Sequence, residues 1–205
     1  MVKQLGNIAG ENEEEWYLGD TLNASIGQAS NLYTPVQLAN YIATIANGGT
    51  LNRVSLIKSI TSSDGSQEVA LSEIEEFAKE FTGVDFKTKD VGLEDSYVNA
   101  IKQGMLSVTS ESGGTASIIF KNSNIQVAGK TGTSQVAGKQ NNGIFVGFAP
   151  YDNPKIAVVA IIEGGGEGTY TAHVVKPIME EYFKISTEDK ANDKVQNVVE
   201  NSVNF

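Results

Sequence analysis

The chain holds no cysteine and a single histidine among its 205 residues. Disulfides, thiolate nucleophiles and cysteine-ligated zinc are therefore excluded. One histidine without cysteine is also a meagre donor set for any metal centre. Positive charge is scarce: 15 Lys and Arg face 25 Asp and Glu, for a formal net charge of −10. Such a balance disfavours nucleic acid or an anionic membrane as the main partner. No apolar run approaches the roughly 20 residues of a membrane span. Nothing at Met1-Val2-Lys3 resembles a signal peptide, so the targeting segment of an exported parent would lie outside these residues. What is present, 40% hydrophobic and 20% charged residues, is the composition of a globular domain with a sizeable core.

Helical and strand periodicities order the chain. Ser25-Ile26-Gly27-Gln28 lies in a loop of small and polar residues after Trp16-Tyr17. Thr34-Pro35 supplies an N-cap and a first-turn proline, Val36, Ala39, Ile42, Ala43 and Ala46 recur at helical spacing, and Asn47-Gly48-Gly49 ends the helix. Arg53–Ile60 reads as a strand, Asp64-Gly65 as a turn, and residues 68–95 as an acidic, solvated helix and loop. A further helix runs over Ser96–Val108, with Val98, Ile101, Met105 and Val108 on its apolar side, and Gly113-Gly114-Thr115 follows as a loop. Strands are expected near 126–137, 143–149 and 155–162, the first two joined at Asn141-Asn142-Gly143, because Asn-Gly suits a hairpin turn. The unbroken apolar run Ile156–Ile162 reads as a central strand covered on both faces. Only one neighbour for it is found in the chain, which implies an upstream part of the same domain. A last helix spans about Ala172–Lys184, with Pro177 near its start or kinking it, and a polar, weakly ordered tail fills 187–205.

Within the sheet region stands Gly129-Lys130-Thr131-Gly132-Thr133-Ser134-Gln135-Val136. A phosphate-binding loop fails here, because Asn124 occupies the position of its first glycine and no helix follows. Two readings remain open on these residues alone: an ordinary strand of small residues, or an edge strand built to be approached. Strand period places Thr131 and Thr133 on one face and Lys130 on the other, beside Gly132, which has no side chain. A cation, two hydroxyls and backbone N–H groups would then line one edge, which suits a ligand with a carboxylate and a peptide-like amide. Elsewhere the chemistry is thin. His173, at the start of the last helix, fits a structural or solvent role better than a triad. The glycine-rich loop with Glu163 and Glu167 would repel phosphate. A lysine beside hydroxyls remains, and such a device can serve acyl transfer without histidine.

Lys130-Thr131-Gly132-Thr133 resembles the third motif of penicillin-binding proteins and serine β-lactamases. Ser25-Ile26-Gly27-Gln28, Thr34-Pro35 with Gln37-Leu38-Ala39, and Ala46-Asn47-Gly48-Gly49 are similar, in order, to stretches of the class B penicillin-binding protein transpeptidases. So are Gly104-Met105, Gly114-Thr115-Ala116, Gly147-Phe148-Ala149-Pro150 and Val175-Lys176-Pro177. The resemblance covers roughly residues 16–184. It implies an α/β three-layer transpeptidase fold with helices on both faces of an antiparallel sheet, truncated at its N-terminal side. Residues 1–186 would be the C-terminal part of that domain.

The implied activity is peptidoglycan D,D-transpeptidation: a serine attacks D-Ala-D-Ala, an acyl-enzyme forms, and an amine from a neighbouring stem peptide resolves it. β-Lactams would acylate the same serine, no cofactor is implied, and the parent would act at the extracytoplasmic face of the bacterial membrane. By the resemblance, Lys130 would set electrostatics and a proton relay, and Thr131 and Thr133 would bind the terminal carboxylate. The N–H of Thr133 would serve as an oxyanion donor, with Gly132 and Gln135 flanking the ligand. The family's S-x-x-K serine has no counterpart in a helical setting. Ser55-Leu56-Ile57-Lys58 matches the letters but falls in the expected strand, and neither Ser96-Tyr97-Val98-Asn99 nor Ser123-Asn124-Ile125 supplies the second motif. The chain is therefore expected to lack activity alone and to pair with the upstream half of its own domain, or with itself. A non-catalytic module that keeps the ligand groove is the alternative, and an unrelated structural domain with a chance KTGT a third reading.

Overall fold

The computed structural model describes residues 17–28, 31–55, 59–83 and 88–183. The expected tail, Trp16 and the lysine of the Ser55–Lys58 match lie outside them. In chain order the elements are α1 (Leu18–Ser25), α2 (Pro35–Ala46), β1 (Thr50–Leu51), α3 (Leu71–Thr82), β2 (Lys89–Asp90), α4 (Asp95–Ser110), α5 (Ser117–Phe120), β3 (Ala128–Ser134), β4 (Asn142–Ala149), β5 (Ile156–Ile162) and α6 (Gly168–Tyr182). The main sheet is antiparallel in the order β3-β4-β5, and β1 pairs with β2 in a small separate ladder.

Alternation along the strands builds two cores, one on each face of the sheet. Val127 and Phe145 pack with Ala116, Ile119 and Phe120 of the α5 region and with Ala172, Val175 and Met179 of α6. Ile156, Val158 and Ala160 of β5 join that side. Ala128 and Phe148 face the other way, onto Ile42, Ile45 and Ala46 of α2 and Met105 of α4, with Ala157 beside them. The result is three layers, helices on both faces of an antiparallel sheet, as expected. Lys102 ties the second core together by donating to the carbonyl of Ala46 at the end of α2, 3.2 Å away. Its ammonium also lies over the Phe148 and Tyr151 rings.

Several of the stretches singled out above are structural devices. Thr34 and Gln37 form a reciprocal capping box at the start of α2, with the Gln37 N–H on Thr34 Oγ1 and the Thr34 N–H on Gln37 Oε1. Asn47 Oδ1 accepts from the N–H groups of Gly49 and Thr50, and its amide donates to the Thr50 carbonyl. Gly48 and Gly49 take φ of +86° and +117° there, which lets α2 turn sharply into β1. A side chain at Gly114 would overlap the carbonyls of Ser107 and Val108, so the end of α4 and the start of α5 pack directly together.

Some expectations are corrected. No strand runs over the described part of Arg53–Ile60; one bridge pairs Thr61 with Glu68 around the expected Asp64-Gly65 turn. That turn is held by Asp64, whose carboxylate accepts from the Ser62 and Ser66 hydroxyls and the Ser66 N–H. These bonds, the Ser62 hydroxyl foremost, hold its pKa down to about 2. Asn142-Gly143 is not the hairpin turn: both residues open β4, opposite Ser134 and Thr133, and residues 135–141 form the connection. Gly143 is required instead by α6, since a Cβ there would sit 2.6 Å from Thr171 Oγ1. Helix α6 begins at Gly168, four residues before the expected start, so Pro177 lies inside it. Ile101, expected on the apolar side of its helix, is exposed on α4. The short α1 and α5 were not foreseen, because eight and four residues carry too little periodicity to register.

Packing at the centre of the sheet leaves no room beside β3. A Cβ on Gly129 would overlap the ring of Phe145, which is fully buried and stacked on Phe120. Gly129→Ala should therefore destabilise the fold by about 1–3 kcal/mol, read from urea unfolding. An unchanged midpoint would show that Phe145 has free space to move into.

Candidate functional site

Strand β3 is an edge: it pairs with β4 on one side and with no other strand among the described residues. Its register puts Lys130 opposite Val146, Gly132 opposite Ile144 and Ser134 opposite Asn142. Side-chain donors show which way its carbonyls point. Thr109 Oγ1 donates to the carbonyl of Val127, the residue just before the strand, Lys130 Nζ to that of Thr131 at 2.5 Å, and Gln28 Nε2 to that of Thr133 at 3.2 Å. All three acceptors are odd-numbered, so these residues turn their backbone polar groups away from β4. In an antiparallel ladder a residue's N–H and C=O point to the same side. The N–H groups of Thr131 and Thr133 therefore face the open edge, as expected for an edge strand built to be approached.

The side chains converge on the same edge. Lys130 is exposed on the face opposite the two threonines. Thr131 Oγ1 lies 2.8 Å from Thr115 Oγ1, which the loop between α4 and α5 brings alongside. Thr133 Oγ1 lies 3.4 Å from the N–H of Gly168, the first residue of α6. A hydroxyl that accepts there keeps its own proton for a ligand. The positive end of the helix dipole adds to the attraction for an anion at that place. The approach depends on Gly168, where a Cβ would overlap the carbonyls of Gly132 and Ile144. Gly132 is under less constraint, with a Cβ placed 3.4 Å from that of Ile144.

The structure thus brings together Lys130, Thr131, Gly132 and Thr133, and leaves Gln135 exposed just past the end of β3. Two residues with no role in the sequence reading join them, Thr115 and Gln28. Both sit in stretches already singled out by motif, but only the folded chain shows that these stretches meet β3. His173 is exposed on α6, and Ser55 lies outside any helix. Among the described residues no group of three or more His, Cys, Asp or Glu is placed to hold a metal, and no helix is long and apolar enough to cross a membrane.

Comparison with known proteins gives a consistent family. The model of the penicillin binding protein transpeptidase domain matches residues 2–184. The peptidoglycan D,D-transpeptidase MrdA of Haemophilus influenzae is 30% identical over 199 residues, covering 88% of this chain and 29% of that protein. Penicillin-binding protein 2A of Bacillus subtilis is 27% identical, covering 90% of this chain and 27% of that protein. Among solved structures, Pseudomonas aeruginosa PBP2 in complex with WCK 5153 superposes with a TM-score of 0.71 at 32% identity, covering 91% of this chain and 36% of that one. PBP2 from the Helicobacter pylori complex with MreC gives 0.62 at 26% identity, covering 84% of this chain and 28% of that one. The chain spans under a third of the length of the curated relatives it matches.

Proposed function

This chain belongs to the penicillin-binding protein transpeptidase family, and from that premise we propose that it forms one wall of a serine acyl-transfer site. The parent enzyme would cross-link peptidoglycan stem peptides ending in D-Ala-D-Ala, and would be acylated by β-lactams. It would work at the extracytoplasmic face of the bacterial membrane. One observation carries the reading: the N–H of Thr133 faces an open edge, with two hydroxyls and a lysine around it.

The chemistry follows from what this edge offers. A carboxylate at the end of the ligand meets the hydroxyls of Thr131 and Thr133, backed by the start of α6. The carbonyl under attack places its oxygen on the Thr133 N–H. Negative charge grows on that oxygen as the serine adds, so a fixed donor there stabilises the transition state more than the ground state. Lys130 supplies positive charge and a proton path beside the second-motif serine. That serine and the nucleophile both belong to residues other than these. Gly132 keeps the face beside Lys130 low, and Gln135 flanks the ligand beyond the strand.

The opposite edge of the sheet fits the same reading. β5 pairs only with β4 among the described residues, although α2 and α6 cover its two faces. Its outer edge is the surface on which the upstream part of the domain would pair or, failing that, a second copy of this chain.

Two measurements test the reading. Alone, the chain should give no covalent adduct with a labelled penicillin by intact mass, and a fragment carrying an S-x-x-K serine, supplied in trans, should restore labelling on that fragment. A one-to-one adduct on this chain by itself would show that the nucleophile lies within it. In the transpeptidase that unites these residues with such a serine, Thr133→Val keeps the N–H and removes the hydroxyl. Losing one hydrogen bond to a charged group should raise the barrier to acylation by about 1.5–3 kcal/mol, on the order of tenfold to a hundredfold in rate. Acylation at the wild-type rate would remove the hydroxyl of Thr133 from the site.

A further inference from the structure

Ser25-Ile26-Gly27-Gln28 has no chemical role in the function proposed above, yet its last residue reaches the ligand strand. Gln28 Nε2 donates to the Thr133 carbonyl at 3.2 Å. The backbone behind it is pinned. Asn31 Nδ2 donates to the carbonyls of Ala24 and Gln28, each at 3.1 Å, and the Gln28 N–H bonds to the Asn23 carbonyl at 3.0 Å. Only the side-chain torsions of Gln28 therefore separate a fixed anchor from Thr133, and its carboxamide can leave without moving the loop.

An extended peptide that joins a sheet edge makes main-chain hydrogen bonds to it. In an antiparallel pair, two facing residues of the hydrogen-bonded kind exchange both of their N–H···O bonds. A ligand residue facing Thr133 would put its carbonyl on the Thr133 N–H and its own N–H on the Thr133 carbonyl. In the ligand-free chain that carbonyl already carries an amide N–H, the one from Gln28. We propose that Gln28 is a specificity-determining residue: its carboxamide holds the Thr133 carbonyl in place of the ligand's amide, which has to displace it. The proposal rests on the reading of β3 as the ligand strand.

The consequence is a lowered premium on the ligand's amide. With Gln28 present, a ligand N–H exchanges one donor for another at the carbonyl and gains little. A ligand with an ester oxygen at that point leaves Gln28 where it is. Without Gln28 the carbonyl is open: the amide then gains a full hydrogen bond, and the ester oxygen faces the carbonyl lone pairs across the edge.

The test uses the 205-residue chain, wild type and Gln28→Met, which keeps the length of the side chain and removes its donor. Each is titrated with N-acyl-D-alanyl-D-alanine and with O-acyl-D-lactyl-D-alanine. The lactyl ligand carries an ester oxygen in place of the N–H that would meet the Thr133 carbonyl. Affinity is read from the amide NMR shifts of Thr133 and Ser134, and Gln28→Ala serves as a second removal of the donor. The wild type should bind the two ligands about equally, and removing the donor should raise the amide-to-ester affinity ratio about three- to tenfold. An unchanged ratio with both ligands bound, or an equal loss for both, would overturn the role of Gln28 and leave the ligand strand standing. No response at Thr133 to either ligand in any of the proteins would overturn the ligand strand and this proposal with it.

Discussion

Because the carbonyls of Thr131 and Thr133 take side-chain donors at the open side of an antiparallel ladder, these two residues carry both backbone polar groups on the outer edge of β3. That register fixes the site. It places the N–H of Thr133 where an acceptor can reach it and its hydroxyl toward the start of α6. It also leaves carbonyls on the edge, and side chains meet two of them: Lys130 at Thr131 and Gln28 at Thr133. A slip of one residue would exchange inner and outer groups along the whole strand and abolish the site.

Glycine is the means by which the register is enforced. Gly129 admits the ring of Phe145, Gly143 admits Thr171, and Gly168 lets the first turn of α6 rest on the backbone of Gly132 and Ile144. Each position has backbone or a buried ring where a Cβ would be. The helix is thereby held against β3 and β4 by shape, and its N-terminal N–H comes within reach of Thr133. Stability and site geometry are thus set by the same contacts, which is why a change at Gly129, Gly143 or Gly168 would disturb both.

Much of this was legible in the sequence. The glycines of β3 left an edge strand as one of two open readings, the apolar run in β5 read as a strand covered on both faces, and the three layers were implied by the family resemblance. The helical core was read from Ile42 and Met105, each one of a run of apolar residues at helical spacing in its own helix. What escaped notice depended on long-range contacts. Asn142-Gly143 has the chemistry of a hairpin turn, but its place under α6 decided its conformation. Arg53–Ile60 is β-rich, yet pairing falls at Thr50–Leu51 and Thr61, where partners are available. Gln28 is separated from Thr133 by 105 residues, so no local pattern could join them. The motif order pointed to the family, and the cap at Thr34 and the stop at Asn47 were read from local pattern, but Thr115 as a neighbour of Thr131 became visible only in contact.

The central claim is that Thr131 and Thr133 present their N–H groups to an open edge while Lys130, Gly132 and Ser134 are bonded into the sheet. Hydrogen exchange resolved at single amides along β3 in the ligand-free chain tests it directly. The account predicts alternation: slow exchange at 130, 132 and 134, and exchange faster by orders of magnitude at 131 and 133. Equal protection of Thr133 and Gly132 would contradict it, because the donor proposed for the ligand would then already be committed within the fold.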